Sequence, residues 1–159
     1  LTFTPIYHVN GPCKWTVDSN DIGYCTPDGV AYKPKKFTED VNSDDLGDSV
    51  PGEVINKGQE VTAVFTLAKW DNAALKTVFA KYDSGTQGTI GTIGELMVAA
   101  SRMSVMVFAS PIDNEIFTLN RAYIVDEKEV NLNTKQKLWS ITVRGIADGS
   151  GIVYTITNS

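Results

Sequence analysis

Histidine and cysteine are scarce in this chain: His8, Cys13 and Cys25 are the only ones in 159 residues. A zinc site needs more ligands than these three side chains offer. The cysteines stand outside any CxxC spacing and are too few for a secreted disulfide scaffold. They read as small buried hydrophobes, with one disulfide between them as the other option. There is no GxSxG elbow and no GxxxxGKS/T phosphate loop, and a lone histidine near the start leaves no serine triad. The longest apolar run, Met103 to Ala109, is far too short to cross a bilayer. No positively charged start precedes an apolar stretch, so no signal peptide is expected. Bases are outnumbered as well, 14 to 19, for a net charge of −5. Firm DNA binding needs Lys and Arg to replace phosphate counterions, and no basic helix or stripe is present. An acidic surface beside DNA instead repels phosphates and prevents sticking. These absences leave no expected enzyme activity, cofactor, metal or membrane partner.

What is present is β-rich. Hydrophobic residues make up 42% of the chain, enough for one domain over 1–159 with a real core. Residues 1–14 read as an irregular or extended leader, broken at Gly11-Pro12. A strand from Trp15 meets a turn at Asn20-Asp21. Asp28-Gly29 is a second turn signal, and Val30-Ala31-Tyr32 starts another strand. Val61, Ala63, Phe65 and Leu67 alternate with Thr62, Val64, Thr66 and Ala68, the period of a half-buried strand. It runs through Trp70 and Asp71 into a helix of about Asp71 to Tyr82. There Asp71 or Asn72 can cap, and Leu75, Val78, Phe79 and Tyr82 form one apolar face. Later strands are expected at Val105–Phe108, Glu115–Val125, Leu138–Ile146 and Ile152–Ile156, with one or two helical turns over Glu95–Arg102. Returning strands separated by turn signals favour an antiparallel β-sandwich or barrel with one flanking helix.

Residues 33–51 differ from the rest. Lys33, Lys35 and Lys36 are followed by Glu39, Asp40, Asp44, Asp45 and Asp48, and the apolar residues are only Phe37, Val41, Leu46 and Val50. This is long for an early inter-strand loop in a compact domain. It is expected to be mobile or to be ordered by something outside the domain. Asp40 to Asp45 opens like a calcium loop, but the sixth and twelfth positions hold Asp45 and Pro51 where Gly and Glu are required. The glycine-rich TQGTIGTIG at Thr86–Gly94 does not match the dinucleotide fingerprint. Trp15, Trp70 and Trp139 read as core or rim residues, Trp70 locking the strand–helix corner with Asp71.

The order of DIGYCTPDGVAY (Asp21–Tyr32), the acidic DDLGD (Asp44–Asp48), GQEVTAVFTLAKWD (Gly58–Asp71), the helix, LNRAYIV, LWSITVRGIAD and the terminal GIVYTIT resembles the tail tube, or major tail, proteins of long-tailed bacteriophages. The likeness spans roughly Asp21 to Ile156 and lies in pattern and order. It implies a β-sandwich or barrel with a flanking helix, six copies forming a ring, and rings stacking into a tube through which DNA passes. In that family a long loop between early strands reaches the neighbouring subunit or ring. Here Lys33, Lys35, Lys36, Phe37, Glu39, Asp40, Asp44, Asp45, Leu46 and Asp48 occupy its place. The implied partners are further copies of the chain, other tail proteins such as tape measure, terminator and baseplate, and DNA in non-specific passage. The implied location is the virion, after synthesis in the host cytoplasm. The leader with Cys13 does not align to the family pattern. A tail terminator, a baseplate or capsid decoration protein, and a free-standing β-sandwich binding module are the competing readings.

Overall fold

A computed structural model of the chain describes residues 3–5, 12–42, 45, 51–80, 93–110 and 115–158. Its strands are β1 (Lys14–Val17), β2 (Asn20–Asn42), β3 (Pro51–Trp70), β4 (Ser104–Ala109), β5 (Glu115–Val130), β6 (Trp139–Ile146) and β7 (Thr155–Asn158), with helix α1 (Asn72–Ala80) after β3. The sheet runs β4-β1-β2-β3-β6-β5-β7, all antiparallel, and β4 also pairs with β5. That extra pairing closes six strands into a barrel. Strand β7 adds to β5 over Glu115–Thr118, beyond the reach of β6, which pairs with β5 only from Arg121 onward. The expected antiparallel barrel with one helix is therefore the observed architecture.

The barrel is packed solid. Period-two alternation points Val61, Ala63, Phe65 and Leu67 of β3 inward to meet Ile141 and Val143 of β6, Met106 and Phe108 of β4, and Trp15 and Val17 of β1. Phe65 sits at the centre, its ring 4.8 Å from Trp15 and 5.3 Å from Phe108. Gly145 faces Val61 across the β3–β6 ladder, and a Cβ there would lie 2.7 Å from Val61 Cγ1 and 2.9 Å from Leu119 Cδ2. A side chain at 145 would overfill the interior. Helix α1 buries Leu75, Val78 and Phe79, and the Phe79 ring meets Trp139 edge-on at 5.2 Å. Trp15 is core, while Trp70 and Trp139 are half-buried at its rim.

Three local expectations shift. The first hairpin turns at Asp18-Ser19, not at Asn20-Asp21, which already belong to β2. Both turn residues take positive φ, 50° and 68°, as a two-residue turn between twisted strands requires. The turn is held from outside: Asp18 N–H donates to Val105 O at 2.8 Å, and Asp18 Oδ1 accepts from Val105 N–H at 3.0 Å. Asp28-Gly29 does not end a strand either. Cys25 pairs with Leu67 and Val30 with Phe65, so Thr26–Gly29 bulge from a continuous β2, with Gly29 at φ 70°. The third shift concerns residues 33–42. They are paired strand, not loop.

The later strands fall close to where alternation put them, though β5 continues to Val130 and β7 starts three residues later than expected. Residues 97–101 form hydrogen-bonded turns rather than a helix, closed by Arg102 N–H donating to Met97 O at 2.9 Å. Most of Thr86–Gly94, together with Tyr82, His8 and most of the leader, lies outside the described residues. Among the described residues no helix is long and apolar enough to cross a membrane.

Candidate assembly surface

Strands β2 and β3 have 23 and 20 residues, several times the common strand length, so they cannot end where the barrel does. Strand β1 pairs with β2 only over Asn20–Tyr24, and β6 pairs with β3 only over Val61–Leu67. The β2–β3 ladder nevertheless continues from Lys33↔Thr62 to Asn42↔Pro51. At about 3.3 Å per residue, this two-stranded arm extends roughly 30 Å past the last barrel strand. Among the described residues its two outer edges have no third strand. Pro34 fits such an edge, where one backbone N–H is dispensable.

The arm exposes both faces. Residues 33–42 of β2 and 52–58 of β3 are all exposed, including Phe37, Val41, Val54 and Ile55, which stand between 37% and 46% open to solvent. Val54 and Ile55 are consecutive, so one apolar side chain lies on each face. The ladder shifts register beside Lys57 and Gly58, where Gly58 takes φ 119°, and the extra residue twists the ribbon. Lys57 Nζ pairs with Glu39 Oε2 at 2.9 Å, and the Lys35 ammonium lies 5.1 Å from the centre of the Phe37 ring. Glu60, at the foot, pairs with Arg144 of β6.

Charge is graded along the arm. Lys33, Lys35 and Lys36 lie nearest the barrel; Glu39, Asp40 and Glu53 lie toward the turn, and Asp45 is exposed in the turn itself. Asp44, Leu46 and Asp48 fall outside the described residues. Asp40 and Asn42 belong to strand β2, not a chelating loop, and the described residues hold no cluster of three or more potential metal-ligating side chains. Sequence reasoning placed the β2 half of this surface but missed its β3 partner, residues 51–60. Two signals were available. No glycine interrupts Val30 to Leu46, and β-branched Val41 on one side is matched by Val54 and Ile55 on the other.

The second predicted feature is the strand–helix corner. Asp71 is the cap: its Oδ1 accepts from Ala74 N–H at 3.1 Å, and its carbonyl accepts from Leu75 N–H at 3.0 Å. Asn72 instead accepts from the Trp70 indole N–H at 3.0 Å. Asp71 N–H donates to Ile22 O at 2.9 Å, tying the corner to β2. Gly23 makes room for it, since a Cβ there would lie 2.8 Å from Trp70 Cα. The corner thus fixes the direction in which the chain leaves β3 and enters α1.

No protein-family model matches the chain, and no characterised protein matches its sequence.

Proposed function

We propose that this protein is a self-assembling structural subunit of the tail-tube kind, forming rings that stack into a conduit for DNA. The β2–β3 arm carries the reading. An isolated two-stranded ribbon is marginal in water, and unpaired edges with exposed Val, Ile and Phe are an aggregation hazard unless a partner covers them. A neighbouring copy of the chain removes both penalties by adding a strand to the open edge. The graded charge sets the register of such a contact, since rim charges govern orientation and encounter more than affinity. The net charge of −5 suits a conduit that must release DNA. Sixfold rings, contacts with tape-measure, terminator and baseplate proteins, and residence in the virion rest on the family resemblance and belong to the same proposal.

The test replaces residues 38–57 with an Asn-Gly turn joining Phe37 to Gly58. The barrel should keep its circular dichroism spectrum and melt cooperatively. Negative-stain micrographs over a concentration series should show stacked rings for the full chain and none for the shortened one. Tubes formed without the arm would refute its role.

A further inference from the structure

Cys13 and Cys25 lie opposite one another where β1 begins. The ladder sets Lys14 against Tyr24, and one step outward Cys25 N–H donates to Cys13 O at 2.9 Å. Hydrogen-bonded antiparallel partners have Cα atoms about 5.5 Å apart, inside the span a disulfide bridges. Direct cross-strand partners carry their side chains on the same face of the ladder, so the two thiols are neighbours, and each shifts the other's titration. Both are free thiols. Twelve positions separate them in sequence, so only the hairpin brings them together.

The surroundings allow chemistry. Cys13 is half-buried and lines a pocket of about 210 Å³ with Val30, Tyr32, Phe117 and Glu115. Cys25 is buried but borders a pocket of about 570 Å³ whose wall includes Lys69. The Cys25 hydrogen bond holds the Cys13 thiol below its ordinary value, with burial opposing. That same bond, then burial, then the neighbouring Cys13 charge push Cys25 upward. Half-buried Cys13 is the more accessible to an incoming oxidant and serves as the nucleophile, while buried Cys25 follows it. Thiolate, not thiol, is the attacking species.

We propose that Cys13 and Cys25 form a redox-active pair that closes to an intrachain cross-strand disulfide, with a small-molecule disulfide as oxidant. The Cys13 thiolate attacks one sulfur of the oxidant and releases a small thiolate, leaving a mixed disulfide on Cys13. Capping Cys13 removes the hydrogen bond and the charge that held the Cys25 proton. The Cys25 thiolate then attacks Cys13 Sγ and expels the second small thiol. Two protein thiols and one small disulfide become one protein disulfide and two small thiols. The bond joins β1 to β2 beside the Thr26–Gly29 bulge. It stays open in a reducing cytosol and closes in oxidising surroundings. This inference stands apart from the assembly proposal.

The full-length protein is incubated in glutathione buffers of increasing oxidised fraction, quenched with acid, unfolded and alkylated, then weighed by mass spectrometry. The expected product is lighter than the reduced chain by two hydrogens and takes no alkyl group. Reductant should restore two alkylation sites. Cys25→Ser should hold one glutathione at position 13, and Cys13→Ser should hold none. Two alkylated thiols at full oxidation would overturn the proposal, as would a glutathione adduct that never resolves in the native chain or a disulfide-linked dimer. The native-chain mass decides the question even where a variant fails to fold.

Discussion

Strands β2 and β3 keep each other as partners from Gly23 to Asn42, yet the two ends of that ladder are held by different forces. In the barrel end, β3 has a neighbour on both edges and a packed interior on one face. Val61, Ala63, Phe65 and Leu67 are between 0% and 2% exposed. In the arm, among the described residues, the same strand has one neighbour, no buried face and two successive exposed β-branched residues. Burial stabilises the first region by about 25 cal/mol per Å² of apolar surface. The second has little but backbone hydrogen bonds and rim charges, each worth at most about 1 kcal/mol net. One continuous hairpin therefore joins a region whose order is its own to a region whose stability must come from elsewhere.

Matched truncations probe this contrast most strongly. Phe65→Ala should lower unfolding stability by about 3–5 kcal/mol, because its ring packs against Trp15 and Phe108 and its removal leaves a cavity that cannot fully collapse. Ile55→Ala, in the same strand ten residues earlier, should change it by less than about 0.5 kcal/mol while weakening ring formation. Urea midpoints of dilute protein measure the first quantity and sedimentation the second. Equal losses of stability would mean that the arm is packed after all. A smaller effect is expected at the corner. Asp71→Ala should cost about 1 kcal/mol through loss of the helix cap, and Asp71→Asn should retain most of that stability. A cap-independent corner would show the two variants melting alike.

The weakest effect concerns the β6–β7 turn. Asp148 Oδ1 accepts from Ser150 N–H at 2.8 Å and Ile152 N–H at 3.0 Å, and its Oδ2 accepts from Asn120 at 2.9 Å. The Ile152 amide first, then the Asn120 and Ser150 bonds, hold this carboxyl below its ordinary value of 3.8. A depressed folded-state value gives stability that is complete above the unfolded value and lost as pH falls through the folded one. Asp148→Asn should therefore flatten the acid limb of the stability curve below about pH 4 and leave the arm unaffected. An unchanged acid limb would refute the role of these bonds.

The helix was legible in the sequence because its signals are local: a cap at Asp71 and apolar residues at helical spacing. Strands β3 and β6 were legible because alternation against a core leaves a period of two, and β4 as a short apolar run. Residues 33–42 were misread as loop for the same reason. With no core beside them they carry no alternation, and their pairing with 51–62 is written in a distant segment. The corner was readable as a helix cap at Asp71 or Asn72, and the structure chose Asp71. The arm was readable as anomalous in charge and length, but not as a strand.

The sequence alone determined the character of each piece: the inward side chains of β3, the capped helix, and the acidic, apolar-poor excursion. These follow from periodicity and composition, which act over a few residues. Only the tertiary structure decided that β4 pairs with both β1 and β5 to close the barrel and that Asp18-Ser19 turns against Val105. It also decided that Cys13 meets Cys25, and that β2 and β3 outrun their neighbours. Those outcomes depend on register between distant strands. A shift of one residue in any ladder would send the core face to solvent, so burial summed over the whole barrel selects them.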